Sequence, residues 1–325
     1  MKALTIIAAV NEALKVEMRR DKSIVVYGED VGLEGGVFRA TVDLQKEFGE
    51  MRCFDSPLAE SAIVGTAIGM AIAGLKPVVE MQFSGFAAPA YNQIISHVSR
   101  MRNRTRGAMT VPIVIRMPYG GGIRALEHHS ESLESHWGHI PGVKVVIPST
   151  PYDTKGLLIS AIRDPDPVIF MEPKRLYRAI KQEVPDEAYT IPIGKAKVVD
   201  KGEQLTLVSY GAQMKETQAA AGILKKEGYS IELIDLRTIY PIDIETIIES
   251  VKKTGRFMVV HEAAQTFGVG AELISIVTEG AFLNLEAPPK RLTGADTIFP
   301  LPRGEHHYVL STERIVYEAK KVVNY

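Results

Sequence analysis

Short apolar runs rich in Val and Ile alternate, along nearly the whole chain, with longer segments whose apolar residues recur at helical spacing. That alternation predicts an α/β protein with mostly parallel sheets and helices on both faces. In the first half, strands are expected at 24–27, 77–81, 112–116, 143–147 and 167–171, and helices at 5–20, 60–75, 87–103 and 152–163. Residues 173–192 then turn charged, proline-punctuated and aperiodic, which marks a boundary. Afterwards the alternation restarts, with strands at 205–209, 231–235 and 257–260 and helices at 213–226, 242–253 and 269–282. A last helix follows Thr312, which is placed to cap it. The division expected is a first domain over 1–180, a linker over 181–192 and a second domain over 193–325, and 325 residues suffice for both.

The bulk numbers narrow the function classes. A formal net charge of -1 gives no electrostatic reason to bind nucleic acid or a membrane surface. No apolar stretch reaches the roughly 20 residues that cross a bilayer, and helical patterning from Thr5 replaces a signal peptide's order of basic, apolar and small residues. The single cysteine, Cys53, permits no internal disulfide and reads as a small core residue in a reducing compartment. The expected location is the cytoplasm.

Several residues invite chemistry. Glu60 opens a segment, 61–75, without one charged residue. A carboxylate there is either favoured by the helix dipole or a working acid in the apolar surroundings of Leu58, Ala59, Ala62 and Ile63. Gln82 and Phe86 follow the strand at 77–81, and ligand sites in α/β sheets gather at the carboxyl ends of strands. Gly120-Gly121-Gly122 permits unusual backbone angles and is followed by His128-His129-Ser130-Glu131, where imidazole suits proton transfer near neutral pH. Weaker signals accompany these. His128, His129, His136 and His139 lie within twelve positions but lack a standard zinc-ligand pattern. Gly268-Val269-Gly270 lacks the third glycine of a dinucleotide loop and reads better as close packing at a helix start. Gly65 and Gly69, among Ala62, Ala67 and Ala71, would let another backbone approach, either within the chain or from another subunit.

Taken in order, Asp55-Ser56-Pro57-Leu58-Ala59-Glu60-Ser61-Ala62, Glu80-Met81-Gln82-Phe83-Ser84-Gly85-Phe86 and the glycine turn with His129-Ser130 resemble the beta subunit of the decarboxylase component of 2-oxo acid dehydrogenases, a thiamin diphosphate enzyme. Gly28-Glu29-Asp30-Val31, Pro141 to Pro148, Pro151 to Leu158 and Leu292 to Thr297 extend the likeness over essentially the whole chain. The resemblance implies a transketolase-type pyrimidine-binding domain followed by a transketolase C-terminal domain. It implies that Glu60 hydrogen-bonds the aminopyrimidine of the cofactor and activates it, that Leu58, Gln82 and Phe86 lie beside that ring, and that His129 serves decarboxylation and the passing of an acyl group to a lipoyl arm. Glu131 stands where the family commonly has Gln. Ser160 to Asp166, with Ala161, Ile162, Asp164 and Asp166, resembles a family loop that holds a monovalent cation, potassium, mostly through carbonyl oxygens, with Ile113 contributing from the neighbouring strand. The bland reading of that loop is a helix end turning at two prolines.

Gly-Asp-Gly, which starts the family's magnesium motif, occurs nowhere in the chain. The resemblance therefore implies a separate alpha subunit that holds the diphosphate and magnesium, in an α2β2 assembly that works with a lipoyl-bearing acyltransferase core on a small 2-oxo acid. Pyruvate, branched-chain 2-oxo acids and acetoin use related subunits. The run Glu172 to Arg178 and the double His before Ser130 lean towards the branched-chain type. Rival readings are a transketolase-like enzyme of sugars, a noncatalytic scaffold subunit and a zinc hydrolase.

Overall fold

The computed structural model describes residues 1–325, which form two compact units, 1–119 with 136–193 and 120–135 with 194–325. The excursion 120–135 thus falls with the second unit, although it lies inside the stretch 1–180 assigned to the first from sequence. No helix is long and apolar enough to cross a membrane.

In the first unit, β1 (Lys2–Thr5) leads into α1 (Ile6–Arg20), whose N-cap Thr5 accepts a hydrogen bond from the Ala8 amide. There follow β2 (Ile24–Gly28), α2 (Leu44–Phe48), β3 (Cys53–Asp55), α3 (Glu60–Ile72), β4 (Lys76–Glu80), α4 (Tyr91–Ser96), α5 (Met101–Arg104) and β5 (Val114–Tyr119). The excursion ends within α6 (Glu134–Gly138), and β6 (Lys144–Val146), α7 (Pro151–Arg163), β7 (Val168–Pro173) and β8 (Lys181–Val184) follow. The unit's main sheet runs β6-β7-β5-β4-β2-β3, with every pairing parallel. Its strands β2, β5 and β7 are buried throughout, as a sheet covered on both faces requires. Cys53 is a buried free thiol whose pKa burial pushes up to about 12.

One expectation about this unit needs correction. The helix expected over 87–103 is broken into short pieces, beginning with a 3-10 turn over Ser84–Ala90 that contains Pro89. Proline lacks the amide that a continuous helix needs, while the apolar spacing on either side still mimics one. The stretch expected as a linker, 181–192, packs against this unit. There β8 pairs antiparallel with β1, Tyr189 stacks on Tyr152, and the buried Ile191 donates its amide to the Gly156 carbonyl. Charged residues that β8 turns outward hid it from the pattern.

The second unit contains β9 (Lys197–Asp200), β10 (Leu205–Ser209), α8 (Met214–Lys226), β11 (Ile231–Asp235), β12 (Thr238–Tyr240), α9 (Ile244–Thr254), β13 (Phe257–Ala264), α10 (Val269–Ala281), β14 (Lys290–Gly294), α11 (Glu305–Tyr308) and α12 (Thr312–Val323). Its sheet runs β14-β13-β10-β11-β9, parallel except for β9. Leu205, Leu207, Leu233, Met258 and Val260 from the sheet pack with Leu224 of α8 and Ile315 of α12 into one core. The last helix is capped by Ser311, whose hydroxyl accepts from the Arg314 amide, and not by Thr312. Gly268 and Gly270 are packing glycines, since a Cβ on either would lie within 3 Å of His261.

Candidate active site

In the first unit the chain passes from β2 to β3 on one side and then returns to place β4 on the other side of β2. Such a reversal opens a crevice at the carboxyl ends of the strands. Gly28 is in register with both Asp55 and Glu80, so Glu29-Asp30, the loop to Glu60 and Met81-Gln82 all leave the sheet at one edge. Asp55 fixes that edge by accepting from the Gly32 amide at 2.6 Å and the Leu33 amide at 3.2 Å. Tyr27 donates to the Ile63 carbonyl and holds α3 against β2. Ser61 donates to the Pro89 carbonyl at 2.5 Å, which ties the start of α3 to the turn bearing Phe86.

Glu60 opens α3, only 8% exposed. Gln82 donates to the Asp30 carboxylate at 3.0 Å. Phe86 packs edge-to-face on Phe83, which meets Phe38 in the same way. Leu58 is 79% exposed, an apolar side chain at the rim. Glu29 carries no signal of its own in the sequence, where it lies within Gly28-Glu29-Asp30-Val31. It is buried, and its pKa is raised by that burial, then by the charges of Glu60 and Asp30. Three carboxyl groups, a carboxamide and apolar groups therefore share this edge. Ser56 adds a buried hydroxyl oxygen with no hydrogen-bond partner. A carboxyl group and an amide can bond a nitrogen heterocycle while leucine and phenylalanine pack on its faces, so the residues fit the pyrimidine half of thiamin diphosphate.

Behind this edge, Arg116 of β5 is 1% exposed between two carboxylates. It donates to Glu80 at 2.7 Å and in a bidentate pair to Glu172 at 2.7 and 3.0 Å, and Tyr177 donates to Glu172 at 2.7 Å. Burial opposes the arginine's charge, but Glu172 and Glu80 together raise its pKa. Burial raises the Glu80 pKa, against the pull of Arg116. The network joins β4, β5 and β7 just before the chain reaches Gln82.

His129 belongs to the second unit. Its segment is closed by the Gly120 amide donating to the Glu131 carbonyl, and it ends in a 3-10 turn over Glu127–His129. Ser130 donates to the Leu126 carbonyl, and His128 pairs with Glu131 at 3.3 Å. Gly120 and Gly122 have φ of 82° and 87°, angles that favour glycine. The zinc alternative has no ligand set, since no three His, Cys, Asp or Glu residues are grouped to hold a metal ion.

Nearby, the fully buried Glu134 accepts from the Tyr210 hydroxyl at 2.8 Å. Burial pushes its pKa up to about 7. The folded state thus keeps a proton that the unfolded chain releases near 4.5, and stability should fall by about 3 kcal/mol as pH rises from 4.5 to 7. His261, held down to about 4 by burial, gives the opposite slope, losing stability as pH falls from 6.5 towards 4. Denaturant unfolding of Glu134→Gln beside the parent at pH 5 and pH 8 separates the two. The variant's advantage should grow with pH, and a gap that does not change with pH would show that Glu134 ionises freely.

The cation loop is occupied by protein partners at its side chains. Asp164 pairs with Lys144 and Asp166 with Arg102, both at 2.6 Å. The Ile113 carbonyl accepts from the Val168 amide and the Ala161 carbonyl from the Asp164 amide. Each carbonyl retains a lone pair, so any ion there would be held by the backbone.

Residues 2–180 match the family described as "Transketolase, pyrimidine binding domain" and residues 194–315 that described as "Transketolase, C-terminal domain". The chain is 59% identical over 322 residues to the "Pyruvate dehydrogenase E1 component subunit beta" of Acholeplasma laidlawii, covering 99% of this chain and 98% of that one. It is 54% identical to the protein of that name from Mycoplasma pneumoniae, over 95% of each, and 48% identical to that of Staphylococcus aureus, over the full length of both. A solved structure titled "Split gene transketolase, inactive beta4 tetramer" superposes with a TM-score of 0.80 over 99% of each chain at 19% identity, a likeness of fold. With that fold, and with such identity sustained from end to end, the chain belongs to the beta subunits of the thiamin diphosphate-dependent decarboxylase component of 2-oxo acid dehydrogenase complexes.

Proposed function

We propose that this chain supplies the pyrimidine-activating half of an enzyme that oxidatively decarboxylates a 2-oxo acid, pyruvate first among them, and passes the acyl group to a lipoyl group. The observation that carries this is the meeting of Glu29, Asp30, Glu60 and Gln82 at the crevice where β2 and β4 part, in a chain with no Gly-Asp-Gly. When bound, thiamin diphosphate supplies the nucleophile and the electron sink for loss of CO2. Glu60 holds and returns a proton at the pyrimidine nitrogen, Gln82 orients the ring, and Leu58 and Phe86 pack on it and exclude water. His129 delivers the proton that the departing sulfur needs. In that transfer the lipoyl S–S bond breaks, one sulfur takes the acyl group and the other takes hydrogen, so the disulfide is the oxidant.

An alpha subunit holding the diphosphate and magnesium completes the enzyme in an α2β2 assembly, and an acyltransferase core carries the lipoyl arm. The helix α3, which carries no charge beyond Glu60, supports such a partner. Ala62, Thr66, Gly69 and Ile72 are exposed on it, and nothing in the chain lies within 4 Å of a Cβ built at Gly69. Potassium at the carbonyls of Ile113, Ala161, Ile162, Asp164 and Asp166 would brace the end of α7. The features that lean towards branched-chain substrates have structural work instead. Glu172 accepts from both Arg116 and Tyr177, and His128 pairs with Glu131, while the relatives above carry pyruvate in their names.

The test is co-expression with an alpha subunit and assay across a panel of 2-oxo acids, with and without thiamin diphosphate, magnesium and potassium. Cofactor-dependent turnover with pyruvate foremost is expected. The chain with its partner giving no decarboxylation would favour a scaffold. His129→Ala should lose acylation of a lipoyl domain by about 100-fold or more, and unchanged acylation would assign that work elsewhere.

A further inference from the structure

The second unit has its own crevice, and a piece of chain fills it. Strand β11 lies on one side of β10 and β13 on the other, so the order reverses between β10 and β13. Domains of this architecture ordinarily place a ligand at such a point. Tyr210 follows β10 at that edge, and Glu262 lies near the end of β13. Both are buried, and both bind residues 120–135. Glu262 accepts from the Gly121 amide at 2.5 Å and from the Ser132 hydroxyl at 3.4 Å, gripping both arms of the His129 segment. Tyr210 donates to Glu134 just beyond its end. Glu305 accepts from the Arg124 amide at 2.9 Å. The approach is close: a Cβ on Gly120 would lie 2.8 Å from the Glu262 carboxylate, and one on Gly121 would enter the Phe299 ring.

We infer that Glu262, aided by Tyr210, is a positioning residue that fixes the His129 segment to the second unit's sheet, so that this domain sets where the imidazole works. The inference rests on the role proposed above for His129. Glu262 touches no reacting atom. It holds the glycine turn from which the histidine is hung, and a misplacement of about 1 Å in such a group costs about 100-fold in rate.

The experiment uses the assembled holoenzyme and reads two quantities: hydrogen exchange of the amides in 120–135, and single-turnover acylation of a lipoyl domain. Glu262→Ala should speed exchange at Gly121 at least about tenfold and lower acylation by about 100-fold through kcat, with KM for the 2-oxo acid little changed. Glu262→Gln should restore both, because an amide oxygen still accepts from the Gly121 N–H. Tyr210→Phe, which keeps the ring and removes only the hydroxyl, should loosen the segment by a smaller factor and stands in if Glu262→Ala fails to assemble. Unchanged exchange in the variants that assemble overturns the tether, and faster exchange with unchanged acylation overturns its consequence. His129→Ala, run alongside, separates the two layers. If it leaves acylation intact, the reading of His129 falls, while the exchange data still decide whether Glu262 holds the turn.

Discussion

Glu60→Gln should abolish steady-state turnover of the assembled enzyme, by at least about 100-fold, while leaving assembly and thermal stability near those of the parent. The amide has the size of the carboxyl group and opens α3 equally well, but it cannot take up and return a proton at a ring nitrogen. The neighbouring acids make the substitution well tolerated structurally. Glu29 is buried close enough to Glu60 for that charge to raise its pKa, and Asp30 adds to the strain. Removing the Glu60 charge relieves Glu29, so the substitution is not expected to weaken the fold. Glu29 should then ionise more readily, and Glu29→Gln in the same assay shows whether it substitutes in part for Glu60. The check is decarboxylation of pyruvate by purified assemblies, together with melting curves. Near-parental turnover in Glu60→Gln would remove the carboxyl group from the centre of the mechanism.

Glu60 stands out in the sequence as a lone carboxylate opening an otherwise uncharged helix, but its proposed role, like that of Gln82, comes from the resemblance and not from the local pattern. Strands β10 and β11 were readable to the residue, since apolar runs bounded by polar residues are the pattern of a buried parallel strand. Glu29 was not legible as a site residue. Its closeness to Glu60 depends on β3 and β4 flanking β2, a long-range fact that no local pattern encodes. The same holds for Glu262: three glycines announce an unusual turn, but nothing near them says that a carboxylate some 140 positions later receives the Gly121 amide. The broken helix over 87–103 misled because apolar spacing survives across Pro89. The strand β8 was lost because its exposed residues are charged. Local rules found elements and single acids, whereas tertiary order decided which groups meet.

Arg116→Met should destabilise the first unit by about 3–5 kcal/mol, the largest stability effect expected from one substitution here. The change keeps the bulk of the side chain and removes the counter-charge from Glu80 and Glu172, each at most 3% exposed. Two carboxyl groups facing each other in the core must then take up protons or draw in water. Both β4 and β7 lose their shared partner, and Glu80 lies two residues before Gln82, so the cofactor edge should loosen with them. The buried Trp137 is the chain's only tryptophan and belongs to this unit, so its fluorescence reports the unit's unfolding. A drop of roughly 10 °C in its thermal midpoint is expected. The deficit should shrink at pH 5 relative to pH 8, because protonation of the stranded carboxyls relieves them. Changing all three charges together, Arg116→Met with Glu80→Gln and Glu172→Gln, should recover much of the loss, since an apolar or neutral replacement of a whole buried network costs far less than removal of one member. A melting point for Arg116→Met within about 2 °C of the parent, or a triple variant no better than the single, would show that the carboxylates find solvent or other partners and that Arg116 does not hold these strands together.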